Sequence, residues 1–322
     1  MVSTTIRTNQ IHAERRGFTL VELLMAMTLG LLVLGIAVTF LMTQLRTLEG
    51  SAIREDVTRN GRYISVALRR DVQKAGILIE STSNFGTVAA WSGTNGDTLV
   101  VLRVPHLPAA APPHNIDPPS GTNNPLPAGG TCGQQCIDVV KNSGEPFELE
   151  VGDLARLQVG ASRRLILVED ITQNNDTSVA VSWTAADTLL RREAGLSGGL
   201  LLDRYNTYVQ KLAATIYYLD DKGRLNRAVR LNPNGSPDGE ILAYGVESFE
   251  VQIVFADGDV LDQANPFDSD VSNDYDDIIG VRVQATLKAD RVDPRVNQGK
   301  LVRKSYYWEI SPRNLRYEKN RS

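Results

Sequence analysis

The chain has 322 residues, a formal charge of −4, 42% hydrophobic and 6% aromatic residues, and two cysteines. That hydrophobic share is enough to build a core, which excludes a wholly disordered chain, and the acidic balance offers no basic surface to draw a nucleic-acid backbone. No direct nucleic-acid partner is therefore expected. Residues 1–17 carry Arg7, Arg15 and Arg16 against Glu14, a net +2, so the chain without them moves from −4 to −6.

The first element follows Arg15 and Arg16. From Leu23 to Leu45 no charged side chain appears. A helix over this run is about 35 Å long at ~1.5 Å per residue, enough to cross a hydrocarbon core of roughly 30 Å. The arginines ahead of it favour a cytoplasmic amino terminus, with the rest of the chain outside the inner membrane. An ordinary secretory signal is cut after its apolar region at a small-residue site, and no Ala-x-Ala follows this one. The membrane helix is expected to stay.

Glu22 stands at the entrance to that helix. A charge in a membrane helix costs about 2.5–3.5 kcal/mol on insertion scales, so it needs a partner. Two readings are open. Thr19 and Glu22 are three apart, the spacing of a capping box in which the carboxylate reaches back to the Thr19 amide. Alternatively, a cut between Gly17 and Phe18 would create an α-amino group four residues before Glu22, and a neighbouring subunit could bring such an amine to it.

The order Gly17-Phe18-Thr19-Leu20-Val21-Glu22, with its basic flank and apolar continuation, resembles the type III signal of the type IV pilin family. The resemblance implies cleavage after Gly17 by a prepilin peptidase that also N-methylates Phe18. It also implies that Glu22, with Thr19 beside it, serves assembly into a helical filament or its initiating tip.

Past Arg46 the pattern turns amphipathic. Ile53, Val57, Ile64, Leu68, Val72 and Ala75 recur at helical spacing among Arg54, Glu55, Arg62, Arg69 and Arg70, which predicts a face packed on a folded head. Gly76 is the expected stop. Gly30, Gly35, Gly50 and Gly61 permit bending or close approach, and all fourteen prolines lie beyond Val104. The helix lacks the kinking proline of many major pilins.

Beyond Gly76 the expected elements are strands: Thr98–Val104, Arg164–Val168, Ser178–Trp183, Ala214–Leu219, Val246–Phe255, Ile278–Leu287 and Lys304–Ile310. Alternation is clearest from Ser248 to Phe255. Asp220-Asp221-Lys222-Gly223 is a turn signal, so Tyr217 to Val229 is expected to form a hairpin.

Two stretches read as loops. Residues 105–133 hold eight prolines, and residues 257–277 hold eight aspartates with no basic residue. Cys132 and Cys136, with three residues between them, lie at the end of the first. A short-loop disulfide is the favoured reading in an oxidising compartment, with zinc held alongside His106 and His114 as the alternative. In the second loop Asp257, Asp259, Asp262, Asp270, Asp274, Asp276 and Asp277 offer the oxygens calcium takes. The EF-hand spacing fails there, so a solvated acidic loop is favoured over calcium. No cofactor is expected.

Catalytic signals fail. Gly195-Leu196-Ser197-Gly198-Gly199 matches G-x-S-x-G, yet no histidine follows His114. It reads as a turn, and no catalytic residue is assigned.

The segment Arg69-Arg70-Asp71-Val72-Gln73-Lys74-Ala75-Gly76, the strands from Gly245 and Ile279, and Pro312-Arg313-Asn314-Leu315-Arg316 are similar to the PilW group of large minor pilins. The expected architecture is α+β: a cleaved leader (1–17), a transmembrane and filament-core helix (18–45), an amphipathic helix (46–76) and a mainly antiparallel, β-rich periplasmic head (77–322). The resemblance implies a single-pass inner-membrane protein that joins a complex at the tip or base of a pilus. Its partners would be other minor pilins, the major pilin, the prepilin peptidase and N-methyltransferase, and the inner-membrane assembly platform. The alternatives are a large pseudopilin of a type II secretion system and a membrane-anchored periplasmic enzyme or binding protein.

Overall fold

The computed structural model describes residues 19–83, 85–106, 110–116, 124–125, 136–141, 147–160, 162–173, 176–183, 201–202, 206–232, 234–266, 268–292 and 300–315. Gly17, Phe18, Cys132 and the stretch Gly195 to Gly199, expected as a turn, lie outside them.

One helix, α1 (Leu20–Val72), holds 53 residues and extends about 80 Å at ~1.5 Å each. It contains no proline to break it. Every residue from Thr19 to Glu49 is exposed, while Val57, Gly61, Ile64, Ala67, Leu68, Asp71 and Val72 are buried, with Ile53 packed beside them. The stripe expected from Ile53 to Ala75 is the face that meets the head. The helix stops at Val72, not at Gly76. Gln73 caps it, and Gly76 and Leu78 adopt positive φ angles of 73° and 58° that turn the chain away.

The head is built from strands whose pairings are all antiparallel among the described residues. In chain order they are β1 (Val88–Trp91), β2 (Thr98–Arg103), β3 (His114–Asn115), β4 (Asn124–Pro125), β5 (Cys136–Val140), β6 (Leu154–Val159), β7 (Ser162–Gln173) and β8 (Ser178–Trp183). Then come β9 (Leu201–Leu202), β10 (Thr207–Leu219), β11 (Leu225–Leu231), β12 (Pro237–Ala243), β13 (Val246–Phe255), β14 (Val260–Leu261), β15 (Ile278–Val292) and β16 (Leu301–Ile310). A larger sheet runs β1-β2-β10-β6-β7-β8-β5, with β11 and β3 also on β10 and β12 on β11. A smaller sheet runs β14-β13-β15-β16. The long α1 and antiparallel head match the expected α+β class.

Helix α1 lies in a core shared by both sheets. Val57, Ile64, Leu68 and Val72 cluster with Leu99 and Tyr217 of the larger sheet and with Phe249, Val283 and Trp308 of the smaller. The β1–β2 turn also stitches the sheets: the Asp97 amide donates to the Phe249 carbonyl at 2.8 Å, and the Asp97 carboxylate accepts from the Val251 amide at 2.8 Å. The smaller sheet and strands β1, β2, β10 and β11 thus pack around the upper helix, while β5–β8 enclose a separate cluster that includes Ile137, Leu157, Val168 and Val181.

The loop expectation for residues 105–133 is corrected in part. His114 and Ile116 are buried, β3 pairs with β10, and Ile116 bridges to Val139. The proline signal concealed a short return into the sheet. Among its described residues the acidic stretch remains a surface loop, broken by β14 and a single helical turn at Tyr275–Asp277.

Candidate functional site

The site has two parts, the exposed start of α1 and the junction that fixes its far end. At the start, Thr19 is the N-cap in extended geometry (φ −72°, ψ 150°). Its hydroxyl oxygen accepts from the Glu22 amide at 3.3 Å, and Glu22 Oε2 accepts from the Thr19 amide and hydroxyl, each at 3.0 Å. This is the reciprocal capping box, which satisfies helix donors that lack an intrahelical partner. Both bonds to the carboxylate fall on Oε2. Among the described residues Oε1 accepts none.

The next twenty-three residues, Leu23 to Leu45, present an apolar cylinder that Thr47 and Ser51 follow. Its polar atoms are turned inward: Thr28 donates to the Met25 carbonyl, and Thr39, Thr43, Thr47 and Ser51 each donate to the carbonyl four residues earlier at 2.8–2.9 Å. Hydroxyls bonded this way need no water, which suits a segment in lipid. Gly35, Thr39 and Thr43 line a shallow groove with Leu32, Ile36 and Phe40. This helix is long and apolar enough to cross a membrane, with no part of its apolar window buried.

At the other end, Asp71 comes from the buried stripe of the last helical turn. Its Oδ2 accepts from Tyr217 Oη of β10 and from Arg227 Nε of β11, both at 2.7 Å, and Oδ1 accepts from Arg70 Nε at 3.0 Å. Burial alone would raise this carboxyl, but the bonds from Arg227, Tyr217 and Arg70 outweigh it and hold the group below the ordinary carboxylate range. Burial and the Asp71 charge push the Tyr217 phenol well above its usual value. The cluster is a charged rivet between helix and larger sheet.

A second clasp comes from β16. The Tyr306 ring covers Gly61 so closely that a Cβ there would sit 2.3 Å from Tyr306 Cζ, and Tyr306 Oη donates to the Val57 carbonyl at 3.2 Å. Asn314 donates to the Ala75 carbonyl at 3.0 Å. Of the helix glycines, Gly61 has a demonstrable packing reason, whereas Gly30 and Gly35 face open space.

The remaining candidates separate. Cys136 is buried at the start of β5, with Cys132 outside the described residues. His106 lies at an exposed bridge and His114 packs against Phe147 at 4.8 Å between ring centres. In the acidic loop Asp257, Asp268 and Asp270 accept amides two residues ahead, at 2.8–3.0 Å. Asp262 accepts instead from Gln252. Among the described residues no three His, Cys, Asp or Glu side chains converge to hold a metal ion.

Residues 13–38 match the model of the prokaryotic N-terminal methylation motif. The chain carries a prepilin-type amino terminus. Such a motif implies processing by a prepilin peptidase and membrane anchoring through the apolar helix it contains. No curated protein matches the chain. Among solved structures it is similar to a type IV-like pilin from Thermus thermophilus, at 9% identity and a TM-score of 0.35, over 81% of this chain and 96% of that one.

Sequence reasoning missed Asp71, Tyr217 and Arg227 as a unit. The signal was present, since Asp71 falls seven residues after Ile64 and fourteen after Val57, on the apolar face. A carboxylate there must find a partner in the head.

Proposed function

We propose that this protein is a minor prepilin that assembles with other minor pilins to prime or cap a type IV pilus. One observation carries the reading: the methylation motif at residues 13–38 is continuous with an exposed apolar helix that begins on the Thr19–Glu22 box. Its function is structural. The large head and a helix without proline favour a minor over a bulk subunit, and the similarity to the PilW group agrees.

In this reading the leader is cleaved after Gly17 and Phe18 is N-methylated. The cytoplasmic leader and periplasmic head follow from the basic flank, and Cys132 pairs with Cys136 outside the membrane. Before assembly Glu22 is satisfied by Thr19. In the filament a neighbour's terminal amine reaches Glu22 Oε1 and forms a charge-assisted pair in a low-dielectric setting.

Mass spectrometry of the mature protein tests the processing. The expected amino terminus is N-methylated Phe18, and an intact residue 1 refutes the class. Glu22→Ala should be processed normally but recovered poorly with pili, and normal incorporation at native expression refutes the docking role. A large pseudopilin of a type II secretion system would share the same terminus. Deletion separates the two, since the minor-pilin reading requires loss of surface pili with protein secretion intact.

A further inference from the structure

The charges of the head are sorted along the helix axis. Contacts set the direction: Lys304 meets Thr58, Tyr306 meets Val57 and Gly61, and Asn314 meets Ala75, so β16 climbs α1 away from the apolar end. The low end of the smaller sheet is therefore the β15–β16 extension. There Leu287 pairs with Lys304, Lys288 with Arg303 and Val292 with Leu301. Its described residues carry Lys288, Arg291, Lys300, Arg303 and Lys304, all exposed, against Asp290 and the Glu247 that Arg303 grips at 2.6 and 2.9 Å. The balance is +3. The neighbouring turn adds none, since Asp220 and Asp221 offset Lys222 and Arg224. Helix residues 46–59 likewise balance Arg46, Arg54 and Arg59 against Glu49, Glu55 and Asp56.

At the opposite end an acidic loop lies beside the exposed Arg313. Phe255 pairs with Ile278 at the far end of the same sheet, and the loop between them carries eight aspartates and no basic residue.

Distance completes the argument. Thr58 lies thirteen residues past Leu45, or about 20 Å at ~1.5 Å per residue. From Lys304 beside Thr58 to Asn314 beside Ala75 the chain climbs about 2.5 Å per residue, so Lys300 sits about 10 Å below Lys304, and Arg291, level with residues 301–303, about 5 Å below it. Lys300 thus lies within about 10 Å of the end of the apolar segment and Arg291 within about 15 Å. Phospholipid headgroups occupy some 5–7 Å of that gap, and the Debye length at physiological salt is about 8 Å.

We propose that this basic end rests on the anionic phospholipid headgroups around the membrane exit of α1, and that the acidic loop orients the head by pointing away from them. The contact holds the unassembled subunit upright. At the usual gain per basic residue near an anionic surface, three net charges favour the seated head by roughly 100-fold. The inference rests on α1 being the membrane anchor.

The test uses the full chain reconstituted in vesicles of phosphatidylcholine alone or with a quarter phosphatidylglycerol. Retention after a carbonate wash is scored first, so failure of the anchor is distinguished from failure of the contact. Hydrogen exchange at Asp290–Val292 and Leu301–Arg303 is then followed by mass spectrometry. Exchange at least tenfold slower with phosphatidylglycerol is expected, returning to the phosphatidylcholine rate in high salt and in the triple variant Lys288→Glu, Arg291→Glu, Lys300→Glu. The exchange of Phe249–Ile253 at the centre of β13 reports whether the variant is folded. Equal rates in both lipids overturn the proposal. So does protection that depends on copies per vesicle rather than lipid charge, which would assign the basic end to the acidic loop of a second copy.

Discussion

Replacing Asp71 by Asn tests whether the stalk is locked to the head. The carboxylate is 5% exposed and the Arg227 side chain 15%, so both charges sit largely out of water. With Asn at 71 the charge is gone: Arg227 keeps an ion pair only to Glu240 at 3.4 Å, a side chain 75% exposed, and one neutral amide oxygen is left for both Arg227 and the buried Tyr217 hydroxyl. Breaking one partner of such a pair costs about 3–5 kcal/mol, because a charge and a hydroxyl are left poorly compensated. The exposed Arg70 contributes little of this. Tyr217→Phe should cost about 1.5 kcal/mol, and the double variant should lose less than the sum. Urea unfolding of the detergent-solubilised chain, read by the fluorescence of Trp91 and Trp308 in the core around α1, gives these values. The folded-state pKa of Asp71 is depressed, so its contribution is complete above the ordinary carboxylate value of about 3.9 and fades as pH falls through the lower folded value. The gap between wild type and Asp71→Asn should therefore narrow below pH ~4. A loss under about 1 kcal/mol at pH 7, or a gap that persists in acid, refutes the reasoning.

Two further tests bear on the helix clasp and the acidic loop. Gly61→Ala drives a methyl into the Tyr306 ring and should cost about 1–3 kcal/mol in the same unfolding assay, with part recovered by Tyr306→Leu; unchanged stability means the clasp is loose. Partial burial, then the charges of Asp276, Asp277, Asp268 and Asp270, raise the Asp274 carboxyl, so its ionised form opposes folding. That penalty grows as pH rises through the ordinary carboxylate range up to the raised folded value. Asp276→Asn with Asp277→Asn should raise Tm at pH 7 but not below pH ~3.5, and equal gains at both pH values exclude charge repulsion as the cause.

What could be read from sequence followed the strength of local patterning. The apolar run, the box at Thr19–Glu22 and the stripe from Ile53 to Ala75 are properties of one helix, where period and neighbours agree. Strands with alternation or flanking turns were also legible, including Ser178–Trp183 and Val246–Phe255 at their observed limits and the β10–β11 hairpin. Strand β6 was not, because Leu154–Val159 is buried at every position and mixes Arg156 and Gln158 into the core. Arg156 finds Gln210 only once β6 has paired with β10, whereas Gln158 donates to the Gly160 carbonyl two residues on. Strand β1 is four residues long, two of them alanine, and carries almost no propensity. The Asp71 cluster joins positions about 150 residues apart, so its existence was readable as a need and its partners were not.

The two halves of α1 have opposite requirements, and this bears on how the proposed assembly proceeds. The upper half is fixed: its apolar face is filled by both sheets, and Asp71 and Tyr306 pin it at two levels. The lower half has no protein cover, with Leu20 76% exposed and Leu31 67% exposed. Lipid can supply that cover, and so can other helices, with little difference in hydrophobic energy between them. Selection for assembly must then come from a polar term, and Glu22 is the acidic group at the start of this segment. Since Thr19 already meets its hydrogen-bond needs through Oε2, the free subunit is not strained into assembling. In the proposed assembly a neighbour's amine would add a bond at Oε1 without removing the two already there. Glu22→Gln separates these roles: it keeps an acceptor for the Thr19 amide while losing the charge. Helix content should therefore survive in detergent while recovery with pili falls as far as in Glu22→Ala, and wild-type recovery would mean that capping, not charge, is what assembly requires.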